Sequence, residues 1–392
     1  MIQSILNLPR TVWLIGFISL VNDSASEMLY PLMPLYLASV LMAGPKALGI
    51  IEGIAEATSI IFKLVSGVIV DRTKRSKPWI ILGYSLAGFG RPLIVLANSW
   101  LWVLAIRFAD RVGKGLRSSP RDALLADSVS HHQRGLTFGF HRSMDNAGAV
   151  VGPLLAALFL SLGVPLQDLF LWAIVPAIIT VCLALFIKEP KLEVEVPATK
   201  FSWSLEGLPD SFKRYLVVAG IFALGNSSDM FLLLRAKEIG VPQEQIPLLW
   251  ASISLITTIF GTPLSAWSDT LGRRRFILIA WMAFTFFYIA MGLPDISIYQ
   301  VFGLFAVYGL FKAATEGVEK ALVADMAPQG FSGRCFGWFN LVTGLMLLPA
   351  SLIFGWLYES VGPFYAFLFS GSCAFIAFFL MLVWVFRKKT LN

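Results

Sequence analysis

Of the 392 residues, 57% are hydrophobic and only 14% are charged, and the mean hydropathy is +0.75. A soluble chain carries about 25% charged residues, so an ordinary water-soluble fold is excluded and the bilayer is the expected solvent. The formal net charge of +7 does not mark a nucleic-acid surface, because the basic residues are spread along the chain by topology.

Apolar runs broken by Pro, Gly and charge predict helices near 11–40, 47–70, 79–97, 100–127, 134–162, 166–188, 213–236, 245–268, 275–293, 298–326, 332–358 and 362–386. The first run is too long for a cleaved signal peptide and is expected to stay as a span. One set of loops and ends holds Arg10, Arg72, Lys74, Arg75, Lys77, Arg134, Lys188, Lys213, Arg214, Arg273, Arg274, Arg275, Arg334, Arg387, Lys388 and Lys389. The alternate loops hold little beyond Lys46 and Lys237. This bias puts both termini in the cytoplasm and predicts a multi-pass protein of the cytoplasmic (inner) membrane. The polar stretch 189–212, with Glu189, Lys191, Glu193, Glu195 and Lys200, reads as a cytoplasmic linker between a bundle at 1–188 and a bundle at 213–392.

Other signals are local. Cys182, Cys335 and Cys373 have no metal-ligand spacing and are expected as free thiols. His131 and His132 lack the i,i+4 spacing of a helical metal pair. Gly113-Lys114-Gly115 lacks the spacing of a phosphate loop. Trp79, Trp100 and Trp102 suit an interfacial belt. No cofactor or metal is expected.

The chain repeats itself. Ala123-Leu124-Leu125-Ala126-Asp127 recurs as Ala321-Leu322-Val323-Ala324-Asp325, an offset of 325 − 127 = 198. Asp71 and its basic cluster recur as Asp269 before Arg273, and 269 − 71 is again 198. One offset held over such distances indicates duplication, a recurrent plan of transporters.

The stretch Gly67-Val68-Ile69-Val70-Asp71-Arg72-Thr73-Lys74-Arg75, with its second copy at Ser265 to Arg274, resembles the loop motif of the major facilitator superfamily. Gly148-Ala149-Val150-Val151-Gly152-Pro153 resembles the start of the antiporter motif of its drug:proton branch, although Leu155-Ala156-Ala157 stands where glycines usually follow. Arg111-Val112-Gly113-Lys114-Gly115 is similar to an element of the same branch, with Lys for Gln. The resemblance implies an all-α membrane protein with twelve transmembrane helices in two pseudo-symmetric six-helix bundles around a central cavity. It also implies an outer scaffold of spans three, six, nine and twelve. An acidic residue beside cations at a helix end can latch a neighbouring helix. The gating set is therefore Asp71, Arg72, Arg75, Asp127, Gly148, Gly152, Pro153, Asp269, Arg273 and Asp325, with Asp127 expected to accept Arg75 and Asp325 to accept Arg273.

A charge at the centre of a span costs roughly 2.5–3.5 kcal/mol even on lenient scales, so such residues face a cavity or a partner. Spans six, nine and twelve have none between their ends, and Arg91 is the exception in span three. Elsewhere the charges fall on helical stripes. Asp23, Glu27, Tyr30 and Pro34 form one, and Glu52, Glu56, Ser59 and Lys63 repeat its spacing. Arg107, Asp110, Arg111, Lys114, Ser118, Arg121 and Asp122 form another. His141 and Asp145 follow on span five beside Arg142, Asn226 and Asp229 on span seven, and Lys312, Glu316, Glu319 and Lys320 on span ten.

A carboxylate beside an Arg loads and releases a proton when their contact changes. The expected coupling residues are thus Asp23 and Glu27, opposite Arg111, followed by Asp145, Asp229 and Glu316. The expected substrate-binding set is Tyr30, Glu52, Glu56, Lys63, Arg107, Arg111, Lys114, Arg121, His141, Arg142, Asn226, Lys312, Glu319 and Lys320. An excess of cations on span four favours an anionic or zwitterionic solute. The expectation is a proton-coupled exporter working by alternating access as a monomer, with small-molecule substrate, protons and lipid as its partners. The alternatives are a proton symporter importing an organic anion such as a carboxylate siderophore, and a lipid flippase. No nucleophile–base or metal constellation speaks for an enzyme.

Overall fold

The computed structural model describes residues 7–73, 75–130, 133–189, 204–328 and 332–385; within helices, the side chains at 68, 71, 72, 134, 135, 266, 316, 332 and 333 lie outside that description. Helices account for nearly all of it, and no strand occurs among the described residues. In chain order they are α1 (Arg10–Leu29), α2 (Met33–Ser39), α3 (Pro45–Thr73), α4 (Lys77–Gly90), α5 (Trp100–Asp127), α6 (Arg134–Ser161), α7 (Leu166–Trp172) and α8 (Ile174–Leu185). Further along the chain come α9 (Asp210–Gly225), which begins inside the expected 189–212 linker, α10 (Met230–Ile239), α11 (Ile246–Leu271), α12 (Arg273–Gly292), α13 (Ile298–Met326), α14 (Ser332–Ser360) and α15 (Pro363–Leu380).

Among the described residues nine helical stretches are long and apolar enough to cross a membrane, from Lys77–Leu96 to Pro363–Val385. The helices of α1, α3 and α5 stand outside that group. Of these, α5 is 28 residues long and carries seven ionisable residues between Arg107 and Asp122. At 1.5 Å per residue its length is about 42 Å, more than the hydrocarbon core needs.

Packing divides the chain into two units. Unit 1 takes Met1–Ala43, Ile54–Thr199 and Pro242–Ala251; unit 2 takes Gly44–Gly53, Lys200–Val241 and Ser252–Asn392. Within unit 1, α1 lies along α6 and α8, and α4 along α5 and α8. Within unit 2 the same scheme recurs, with α9 along α14 and α15, and α12 along α13 and α15. The cores differ in kind. Unit 1 packs Val12, Ile15, Ile18, Ile80, Tyr84, Leu124, Leu125 and Phe140. Unit 2 stacks aromatic rings, with Phe222 on Trp281 at 4.6 Å and Phe287 on Tyr308 at 4.6 Å, pairs that add to plain area burial.

Besides the step at Ala173 between α7 and α8, two spans expected to be continuous are interrupted next to a carboxylate stripe. A 3-10 turn at Tyr30–Leu32 separates α1 from α2, because Pro31 and Pro34 lack the N–H groups an α-helix needs and disfavour helical geometry in the residue before them. In unit 2 residues 226–228 leave the helix between α9 and α10, with Asn226 at φ −92° and ψ 72°. There Gly225 weakens the helix, and Asn226, Ser227, Ser228 and Asp229 offer the backbone competing hydrogen bonds. Since 228 − 30 = 198, the two breaks sit at the same place in the repeat.

Candidate functional site

In unit 1 the cationic face of α5 is largely paired. Arg91, at the 3-10 end of α4, places Nε 3.0 Å from Asp110 Oδ1, and Arg107 Nη1 lies 3.9 Å from Asp110 Oδ2. All three are buried. Arg91 Nη1 also donates to the backbone oxygen and Oδ1 of Asn22, each at 3.3 Å, and Asn22 Nδ2 donates to Asp23 Oδ1 at 2.8 Å. This network explains the cation that broke the pattern in span three. Further along, Arg111 Nη2 pairs with Glu56 Oε1 at 3.1 Å, Arg117 lies 4.5 Å over the Tyr84 ring and Arg121 pairs with Asp122 at 3.0 Å. Lys114 is exposed and makes no ion pair among the described residues.

The α1 carboxylate nearest the break has a different kind of partner. Trp250, on α11, donates its indole Nε1–H to Glu27 Oε2 at 2.7 Å. The same indole stacks on Tyr30, with ring centroids 4.7 Å apart. Glu27 lies within electrostatic reach of Asp23, Lys114 and Arg111. Arg111 thus takes Glu56 as its ion-pair partner, while Asp23 and Glu27 hold neutral donors.

The helix bearing those carboxylates runs unusually close to α6. A Cβ at Gly148 would stand 2.8 Å from the Leu20 carbonyl oxygen and 3.0 Å from Asp23 Cβ, and one at Gly152 would stand 2.7 Å from Met28 N. Only glycine permits that approach. Pro153 follows inside α6. About two turns nearer the start of α6, His141 Nε2 meets Ser19 Oγ at 2.8 Å, and its Nδ1 lies 3.4 Å from Asp145 Oδ2. Arg142 and Lys63 are exposed.

In unit 2, Asp229 opens α10 and is doubly held. Tyr308 donates its hydroxyl to Oδ1 at 2.5 Å, and Lys312 Nζ lies 2.6 Å from Oδ2. Ser228 Oγ donates to Glu52 Oε2 at 3.3 Å. Glu319 accepts from the Trp281 indole at 3.1 Å, while Lys320 is exposed. Asn226 terminates α9. The Glu316 side chain lies outside the described set.

Of the expected latches, the second-half one forms: Arg273 reaches Asp325 at 3.0 Å and Asp269 at 3.1 Å. The pairing of Arg75 with Asp127 is not among the ion pairs of the described residues; both are exposed. The side chains of Asp71 and Arg72, together with His131, His132 and most of the 189–212 linker, lie outside the described set. The three cysteines are free. Sequence reasoning missed Trp250, Tyr308 and Trp281. Only their placement near polar stripes marked them, since an aromatic residue in a span usually packs or faces lipid.

The Major Facilitator Superfamily profile matches residues 12–234 and 215–392. An uncharacterized MFS-type transporter of Methanocaldococcus jannaschii is 32% identical over 383 residues, covering 96% of this chain and 95% of its own. The multidrug resistance protein MdtH of Klebsiella pneumoniae is 25% identical over 358 residues, with 87% and 85% covered. Among solved structures, a POT family transporter in complex with 5-aminolevulinic acid superposes with a TM-score of 0.81 at 13% identity, covering 97% of each chain. The nucleoside transporter NupG does so with 0.81 at 10% identity, covering 96% of this chain and 100% of its own. These two likenesses concern the fold alone. Membrane-length helices, a duplicated packing scheme and a profile match over both halves make this chain a multi-pass membrane transporter of the Major Facilitator Superfamily.

Proposed function

We propose that the chain is a proton-coupled secondary transporter that exports a polar solute, zwitterionic before anionic, by alternating access. The observation that carries this reading is the Glu27–Trp250–Tyr30 cluster, a carboxylate held by a neutral indole at 2.7 Å rather than by a cation. A carboxylate so held can take a proton or a substrate ammonium, one at a time. That competition is what exchange requires, because only differential binding drives a conformational equilibrium. Lys114, exposed and without an ion pair among the described residues, is the matching cationic donor to a substrate carboxylate. The outward direction is supported by the MdtH relatives, named as multidrug resistance proteins, and by the close α1–α6 contact at Gly148 and Gly152.

The same reading takes the chain as twelve spans in two six-helix bundles, both termini cytoplasmic, in the cytoplasmic membrane. It acts as a monomer, without nucleic acid and without an enzymatic step. Asp145 and Asp229 are secondary coupling candidates, and the Arg273 latch with Asp269 and Asp325 is a gate element.

The Arg111–Glu56 pair favours a second reading, a symporter of organic anions. A proton on Glu56 would free Arg111 for a substrate carboxylate, so that proton and anion bind together. The sign of proton movement separates the two in proteoliposomes carrying a lumenal pH dye. External solute that alkalinises the lumen marks exchange, and solute that acidifies it marks symport. No proton movement with zwitterionic, anionic or cationic solutes would sink coupling itself, and dye-labelled lipid crossing the bilayer instead would favour a flippase.

A further inference from the structure

Residues 44–53 open α3, and within unit 2 they lie along α14 with very little space between the backbones. A Cβ at Gly355 would stand 2.6 Å from the Pro45 carbonyl oxygen, and one at Gly49 would strike the Ser351 carbonyl. Glu359 secures the start of the segment, accepting the Lys46 backbone N–H at 2.9 Å and pairing with its Nζ at 3.5 Å. Glu52, only 1% exposed, lies at the other end.

Ser228, in the break between α9 and α10, meets this assembly through its backbone N–H and its hydroxyl. Its N–H donates to Ser351 Oγ at 3.3 Å; its hydroxyl donates to Glu52 Oε2 and accepts the Met230 N–H, both at 3.3 Å. The next residue is Asp229, fixed by Lys312 and Tyr308. Residues 226–228 have no helical ladder to absorb a displacement, so a shift at Asp229 is passed to Ser228 and from there to Glu52 and Ser351.

We propose that Ser228 is a positioning residue that ties the Asp229–Lys312 ion pair to the docking of residues 44–53 on α14, so that release of the pair loosens the segment. The proposal rests on the reading of the chain as a conformationally switching transporter, but on no particular solute or coupling ion. Ala47, 7% exposed within the segment, is the place to read it. The full chain with Cys182→Ser, Cys335→Ser, Cys373→Ser and Ala47→Cys is purified in detergent, and its rate of reaction with a maleimide is measured.

Asp229→Asn is expected to raise that rate roughly five- to tenfold, within the usual range of coupling between sites. In the presence of Ser228→Ala the same substitution should change the rate by less than about twofold, and Ser228→Thr, which keeps the hydroxyl, should restore the dependence. An unchanged rate with Asp229→Asn, or an equal factor with and without Ser228→Ala, overturns the proposal. If Ser228→Ala is not recovered folded, Ser351→Ala removes only the acceptor for the Ser228 N–H and carries the same comparison. Labelling needs no transported solute. A protein that moves no protons with any tested solute yet shows this pattern would refute the proton-exchange reading and leave this one standing.

Discussion

The two helix breaks occupy one position of the repeat, yet they hold their carboxylates in opposite ways. Beside Tyr30–Leu32, Glu27 is held by an indole N–H. Beside residues 226–228, Asp229 is clamped between an ammonium and a phenol. Duplication has kept the backbone interruption and let its chemistry diverge. An indole N–H leaves the negative charge of its carboxylate uncompensated, whereas an ammonium at 2.6 Å compensates it directly. The first break is therefore suited to exchanging its occupant, and the second to holding a conformation.

Glu27→Gln tests this contrast with the largest effect. Glutamine still accepts the indole N–H, so the protein should fold, while proton-driven exchange should fall by about a hundredfold, near the upper end of coupling between ligands. Proton flux and solute counterflow in proteoliposomes measure it, and unimpaired coupling would erase the distinction between the breaks. At the second break, Asp229→Asn should cost about 1–3 kcal/mol of stability. This is below the 3–5 kcal/mol typical of a fully buried pair, because the Lys312 side chain is 34% exposed. Adding Lys312→Gln should recover part of the loss in thermal unfolding, since no uncompensated charge then remains. Additive losses would show that the clamp is not a pair.

Trp250→Phe keeps the stacking on Tyr30 and deletes one donor. About 1 kcal/mol, or roughly fivefold in apparent substrate affinity, is expected; isothermal titration reads it, and no change would move the site away from the indole. The smallest effect is expected at the latch. Arg273→Gln should shift stability by no more than about 1 kcal/mol because its partners Asp269 and Asp325 are exposed. A larger drop in unfolding temperature would show that the latch holds more than two surface pairs.

Much of this arrangement was legible in the sequence. Span positions, the 198-residue offset and the polar stripes follow from hydropathy and helical period, which act locally. Partners did not follow. Arg111 was expected opposite Asp23 and Glu27; it lies within electrostatic reach of Glu27, and tertiary packing of α3 against α5 adds an ion pair with Glu56. The cation excess on α5 suggested an anion site, yet Arg91 and Arg107 share Asp110 inside unit 1, leaving Lys114 as the exposed cation of that stripe without an ion pair among the described residues. The breaks escaped because hydropathy does not register backbone hydrogen bonds: Pro31 and Asn226 sit in stretches that read as spans throughout.

The buried Arg91–Asp110 pair bears on biogenesis. With five cations and two carboxylates between positions 107 and 122, α5 would partition poorly from the translocon into lipid, at roughly 2.5–3.5 kcal/mol for each central charge. Arg91 and Asp110 are only 19 residues apart across the α4–α5 turn, so they neutralise each other as soon as the two helices emerge as a hairpin. The most polar span is thus expected to enter the bilayer on the back of its predecessor. Arg91→Ala should then leave α5 uninserted in nascent-chain glycosylation mapping, although α5 itself is unaltered.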